Sequence, residues 1–340
     1  MSMPMKKIEE WSDVDDERFR REVLTQYRPV VLKGFVKHWP AVQRAMQSVE
    51  SISSYLAGQD NGTPVDALMT RPEEGGRIFY TPDMNGFNFV RNQVSVSSVL
   101  EQLLRYARFP KPPSVAIQSA LIAQCLPGFL AENRMSALGD AVPPRIWLGN
   151  TITTPAHFDE SSNVACVVAG LRRFTLFPPE QIGNLYVGPL DYAPTGTPIS
   201  MVSLSQPDFE RFPRFREALA AAQVAELGPG DAIYIPPLWW HHVQSLGAFN
   251  MLVNYWWTGT PGSQPVIDSA QDCLLHSLLS LRSLPPEQRA AWRVFFDHYV
   301  FGEAGEAAAH IPAHRQGVLG PVSPEMARQV RAFLAGKLKA

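Results

Sequence analysis

Cysteine is scarce in this chain. Cys125, Cys166 and Cys273 are far apart and odd in number. They supply neither a zinc pattern nor a disulfide framework, which points to a reduced, cytoplasmic protein. Long apolar runs are lacking too. No stretch approaches the roughly 18 uninterrupted apolar residues of a membrane span, so no membrane partner is expected. Residues 1–10 carry Lys6 and Lys7 with no apolar core behind them, so no secretory leader is expected. Charge of one sign does not dominate: 30 Lys and Arg face 32 Asp and Glu, a net charge of −2. Such a balance offers no global attraction for nucleic acid, and no basic stripe with interleaved aromatics suggests one locally. Internal repeats and low-complexity segments are absent. What is present is globular: 45% apolar and 18% charged residues in a chain of 340, enough for one large domain or two ordinary ones. Thirty prolines imply many turns and favour β architecture over a helix bundle.

Three regions follow from the pattern. Residues 1–114 read as an α/β segment packed on a barrel. An amphipathic helix is expected over 8–27, a short strand over 28–32, and helices over 39–56 and 94–107, with turn-rich hairpins and loops over 58–92. Residues 115–260 change character. Short β-rich runs (146–153, 163–169, 172–177, 231–235 and 250–257) are separated by turn signals such as Gly228-Pro229-Gly230. This predicts a mainly β fold, an antiparallel sandwich or jelly roll, with a polar insertion at 188–212. Residues 261–340 return to helix: 266–284, 287–300 and 324–337. Leu274, Leu275, Leu278, Leu279 and Leu281 give the first of these a wide apolar face.

The sharpest motif is Thr154-Pro-Ala-His-Phe-Asp-Glu160. On a strand, residues two apart share a face, so His157 and Asp159 can converge on one point. The second motif is the run from Gly228 to Val243, in which a turn feeds an apolar strand and two prolines then place Trp239-Trp240-His241-His242 at its end. A His-x-Asp pair plus a distant His on a jelly roll makes a 2-His-1-carboxylate set, which leaves coordination positions open and suits non-haem Fe(II). The residues alone leave two readings: a metal site, or a structural jelly roll with incidental histidines. His38, His276, His298, His310 and His314 have no sequence partners and read as ordinary surface or packing residues.

The joint pattern T-P-A-H-F-D-E-x-x-N, G-x-R-R-F-x-L-F-P-P, G-P-G-D-x-x-Y-I-P-x-x-W-W-H-H and V-N-Y-W resembles the JmjC/cupin-like 2-oxoglutarate oxygenases, and the asparaginyl hydroxylases among them most. The resemblance runs from about residue 29 to the C-terminal helices. It implies a double-stranded β-helix with surrounding helices and a helical C-terminal extension. It also implies an enzyme, a dioxygenase using Fe(II) and taking 2-oxoglutarate and O2 as co-substrates. His157, Asp159 and His241 fall on the family's iron ligands, with His242 kept beside them as a structural residue. Thr154, Asn163, Asn254 and Trp256 fall on co-substrate or iron-site positions. The implied reaction is hydroxylation of a protein or peptide side chain or of an amino-acid-like molecule. JmjC-type N-demethylation and a non-catalytic cupin-like binding module are the alternatives.

Two departures stand out. Arg172 replaces the hydroxylases' lysine for the distal carboxylate of 2-oxoglutarate. The face Arg172/Phe174/Leu176 is the more apolar one and should point inward. A buried guanidinium needs an anion, either the co-substrate or a protein carboxylate. Ala116 stands about where the hydroxylases have a tyrosine that also holds the co-substrate, and Gln118, two residues on, is the expected substitute. The helices of residues 266–300 carry more apolar surface than one contact needs, and the resembling hydroxylases pair through such helices, so a homodimer is expected.

Overall fold

The computed structural model describes residues 5–259, 269–303 and 305–338. The chain divides into two units, residues 1–267 and 268–340.

The larger unit is built on two sheets. The five-stranded sheet runs in the order Lys6–Lys7, Gln223–Leu227, Arg172–Phe177, Trp240–Ser245, Thr153–His157. The nine-stranded sheet runs Glu10–Trp11, Val30–Leu32, Ala232–Ile235, Ser162–Ala169, Asn250–Trp257, Pro144–Gly149, Ser114–Leu121, Val65–Thr70, Phe89–Val94. Pairing is antiparallel except at the two short N-terminal strands. Ala165, Val167, Ile233 and Leu252 of one sheet share a buried cluster with Phe174, Leu176, Ala225 and Leu227 of the other, so the sheets face each other across a common interior. The N-terminal segment is part of these sheets, not a layer beside them, since four of its strands extend the larger one.

The strand Ser162–Ala169 shows why the pattern reads as it does. It is buried along its whole length. Ala165 and Val167 face the sandwich interior, while Val164, Cys166 and Val168 pack in the cluster that includes Val42, Ile52 and Val99 of the helices Pro40–Gln47, Val49–Ala57 and Val96–Tyr106. A strand covered on both faces has no polar side to alternate with.

Several boundaries differ from expectation for local reasons. The helix expected over 39–56 is two helices, because Ser48 is extended (φ −169°, ψ 165°) and its hydroxyl accepts from the Ser51 amide, starting a new helix. The helix expected over 8–27 shrinks to Asp16–Arg18 and a π-helical turn, Phe19–Val23. Asp15 caps its start, and Ile8, just before the Glu10–Trp11 strand, is buried in the sandwich instead. The run 146–153 ends at Gly149 and resumes as the separate strand Thr153–His157 in the other sheet.

The smaller unit contains the helices Ala270–Leu281, Pro286–Tyr299 and Pro324–Leu338. Residues 266–268 of the first expected helix lie outside the described residues; its observed start is capped by Ser269, which accepts from the Gln271 and Asp272 amides. Leu279 is 81% exposed, and Leu274, Trp292, Val294, Phe295 and Tyr299 are exposed with it. Among the described residues, no helix is long and apolar enough to cross a membrane.

Candidate metal centre

His157 is the last residue of Thr153–His157, and His241 the second of Trp240–Ser245; the two strands are neighbours and pair these residues directly. Strand alternation alone would put Thr154 and His157 on opposite faces. The register slips between His241 and Val243, which pair with His157 and Thr154, and this irregularity brings both onto the interior side. His241 does not end the apolar strand Ala232–Ile235, as the sequence suggested. Pro236 and Pro237 stop that strand, Leu238 takes a left-handed conformation (φ 63°), and the chain crosses to the other sheet before Trp240. Asp159 lies past the end of the His157 strand, so simple alternation does not place it either. Its carbonyl accepts from the Leu238 amide (2.8 Å), and its Oδ2 accepts from Trp256 Nε1 (3.1 Å).

The three side chains converge. One donor atom from each of His157, Asp159 and His241 lies within 4.8 Å of the others, and among the described residues no other such group of His, Cys, Asp or Glu occurs. His241 Nε2 is 3.6 Å from Asp159 Oδ2, and the two imidazole centroids are 4.1 Å apart. His157 Nδ1 is 2.8 Å from the Pro155 carbonyl, and His241 Nδ1 is 2.9 Å from that of Trp239. A carbonyl only accepts, so each Nδ1 carries the proton and each Nε2 presents a lone pair. Burial, reinforced by the neighbouring His241, pushes His157 down to about 4, so it is neutral at physiological pH. The two imidazoles and the carboxylate form the donor set of a divalent ion, and its open side meets a cavity of about 420 Å³.

That cavity gathers most of the residues singled out in the sequence: Thr154, Asn163, Arg172, Asn254 and Trp256 line it with the triad. Asn254 Nδ2 donates to Asn163 Oδ1 (2.8 Å) across neighbouring strands. Arg172 points inward with Phe174 and Leu176 and is 7% exposed. Its Nε has no hydrogen-bond partner, and no carboxylate lies within ion-pairing distance among the described residues. Burial lowers its pKa to about 10, which still leaves it charged at neutral pH. Among the described residues the fold supplies no internal carboxylate partner, which was one of the two readings open in the sequence.

Gln118 does not line the cavity; Ser119 does. The ladder between Ser114–Leu121 and Pro144–Gly149 pairs Ile117 with Leu148 and then Ala120 with Ile146, leaving two residues unmatched by one, and Ser119 is left-handed (φ 53°). That bulge turns Ser119 inward where parity had chosen Gln118. Ala116 packs with Leu68, Ile78 and Ile152, away from the cavity. His242 faces away from the triad's interior side, and burial pushes it down to about 3. Sequence reading missed Arg145, Trp147, Thr195 and Thr197. Arg145 and Trp147 were readable in principle, because they alternate with the core residues Ile146 and Leu148 on one strand. The threonines come from the 188–212 insertion, which Tyr80 and Arg91 hold through the carbonyls of Tyr192 (2.7 Å) and Pro194 (3.2 Å).

A family model described as a cupin-like domain matches residues 16–263. The chain belongs to the cupin-like domain family. Relatives of this cupin-like chain include lysine-specific demethylase 8 of Xenopus tropicalis, 26% identical over 71% of this chain and 51% of its own length. Lysine-specific demethylase JMJ30 of Arabidopsis thaliana is 27% identical over 76% of this chain and 56% of its own. HSPB1-associated protein 1 of Homo sapiens is 34% identical over 33% of this chain and 22% of its own. The cupin-like chain thus spans about half the length of the first two.

Proposed function

We propose that this protein is an Fe(II)- and 2-oxoglutarate-dependent oxygenase that hydroxylates a side chain of a protein or peptide, or an amino-acid-like molecule. The observation that carries the reading is the pairing, in one cavity, of a 2-His-1-carboxylate set with a buried guanidinium that has no internal counterion among the described residues. His157, Asp159 and His241 would hold Fe(II), and Arg172 would take the distal carboxylate of 2-oxoglutarate. Bound Fe(II) supplies activation of O2 coupled to oxidative decarboxylation of 2-oxoglutarate, giving succinate, CO2 and oxidation of a substrate C–H bond. The chain's own part is geometry and enclosure. The Pro155 and Trp239 carbonyls fix both imidazole tautomers, and Trp256 Nε1 orients the Asp159 carboxylate. Phe174, Val243 and Leu252 form an apolar wall that excludes water from the buried end. Asn163 and Asn254 form a buried polar pair beside the triad, and Thr154 adds a hydroxyl.

N-demethylation is the second reading, favoured by the names of the demethylase relatives. It uses the same C–H oxidation, followed by loss of the oxidised carbon from nitrogen. A binding module without turnover is the third. We place the protein in the cytoplasm, and we take the exposed apolar face of residues 270–299 as the contact of a homodimer. Succinate formation that requires Fe(II), 2-oxoglutarate and O2 together tests the oxygenase reading. Succinate above background supports it; 2-oxoglutarate bound but never consumed with any extract-derived substrate would leave a binding module.

A further inference from the structure

We propose that Arg145 recognises a carboxylate on the substrate; this rests on the functional reading above and adds a substrate class to it. The cavity wall holds two arginines with different settings. Arg172 is buried, whereas Arg145 is half-buried, so part of its side chain is open to solvent. Arg145 pairs in register with Asn254 and shares its strand face with Trp147, which meets Trp256 edge to face (centroids 6.2 Å apart). Its Nη1 donates to the Ser119 carbonyl (2.8 Å). That carbonyl is presented by the bulge at Gln118 and Ser119, where a non-glycine residue is held left-handed, a conformation that persists only where the surroundings impose it.

The guanidinium is therefore tethered by one nitrogen, and no carboxylate pairs with it among the described residues. Its remaining N–H groups form the planar fork that matches a carboxylate with two parallel hydrogen bonds. Tethering fixes the fork before the ligand arrives and reduces the ordering cost of binding. The Trp147–Trp256 pair beside it gives the ligand's apolar stem an aromatic wall, and Thr195 and Thr197 line the same cavity. An aspartyl or glutamyl side chain of a peptide and a free amino acid both offer this chemistry.

The test uses the full chain under anaerobic conditions, loaded with Mn(II) and 2-oxoglutarate, and in parallel metal-free. Intrinsic tryptophan fluorescence follows titration with blocked aspartate and glutamate (acetylated, methylamidated), their blocked amide counterparts, and the four free amino acids. The acids should bind about tenfold more tightly than the amides. Arg145→Gln should bring that ratio close to one while Mn(II) and 2-oxoglutarate binding, read by calorimetry, stay intact. Arg145→Lys keeps the charge without the fork and should retain part of the preference; it decides the matter if Arg145→Gln does not fold. Tighter binding of the blocked forms identifies a peptide, and of the free forms an amino acid. Equal binding of the blocked acids and their blocked amides to the wild type without tighter binding of the free amino acids, no measurable binding of any acid in either state, or a preference that survives both substitutions overturns the proposal. Absent Mn(II) or 2-oxoglutarate loading counts against the oxygenase reading instead, and the metal-free titration still judges Arg145.

Discussion

Replacing Arg172 by methionine should act in opposite directions on the ligand-free protein and on its co-substrate complex. In the ligand-free chain, the guanidinium is 7% exposed, and its Nε lacks a partner. Methionine fills similar space among Phe174, Val243 and Leu252 without a charge to desolvate. Exchanging buried ion pairs for apolar groups ranges from neutral to stabilising by about 1–4 kcal/mol, and a guanidinium with no counterion to offset its desolvation belongs at the stabilising end. At about 2 °C per kcal/mol for a unit of this size, the midpoint of thermal unfolding should rise by several degrees. The complex loses instead a charge-assisted contact to the distal carboxylate, about 1.5–3 kcal/mol, or roughly 10- to 150-fold in affinity for 2-oxoglutarate. Arg172→Lys keeps a cation as a compact point charge without the planar fork and should retain part of that affinity. Calorimetry of 2-oxoglutarate binding to Mn(II)-loaded protein, with scanning fluorimetry of the ligand-free form, reads both arms. A variant that binds 2-oxoglutarate as the wild type does would refute the clamp. One that is destabilised when ligand-free would show that Arg172 has an internal partner after all.

Three further outcomes follow from the geometry. His241→Ala should abolish Fe(II) binding, whereas His242→Ala should keep it, because His242 faces away from the triad; metal content after desalting separates them, and the reverse order would move the site to the other histidine. At pH 8 a thiol reagent should label one cysteine per native chain. Cys273 is exposed, whereas burial pushes Cys125 up to about 11 and raises Cys166 as well, so both stay protonated and shielded; three labelled thiols without denaturant would contradict the buried assignments. Leu279→Arg should shift the protein from two chains to one in light scattering on a sizing column, since Leu279 is 81% exposed within an apolar face; a wild-type mass of one chain at micromolar concentration would end the dimer reading.

The parts of the fold legible in sequence were those set by regular periodicity. The strands Arg172–Phe177 and Asn250–Trp257 match their apolar runs residue for residue, and the inward face inferred by alternation, Arg172/Phe174/Leu176, is the observed one. Alternation failed wherever the ladder is irregular. The Gln118–Ser119 bulge exchanged one cavity residue for its neighbour, and the slip between His241 and Val243 decides how Thr154 and His157 can share a side. Neither irregularity has a glycine to announce it; Ser119 adopts positive φ with an ordinary side chain, as does Leu238 where the chain crosses between sheets. Capping explains the broken helix at Ser48, since a serine there can end one helix and start the next. Arg145 went unremarked because an arginine at alternating spacing reads as a solvated face unless the partner sheet is known to cover it.

The most direct measurement is an anaerobic calorimetric titration of Fe(II) into chelator-treated wild type and Asp159→Ala, followed in each by 2-oxoglutarate. Asp159 is the anionic member of the triad, so its loss removes the charge that holds a divalent ion between the two imidazoles. The wild type should bind one Fe(II) per chain and then one 2-oxoglutarate with an affinity raised by the metal. Asp159→Ala, equally folded by circular dichroism, should show no high-affinity Fe(II) and weaker 2-oxoglutarate binding. Full, tight Fe(II) binding by Asp159→Ala, or none by the wild type, would contradict the metal centre on which the functional account stands.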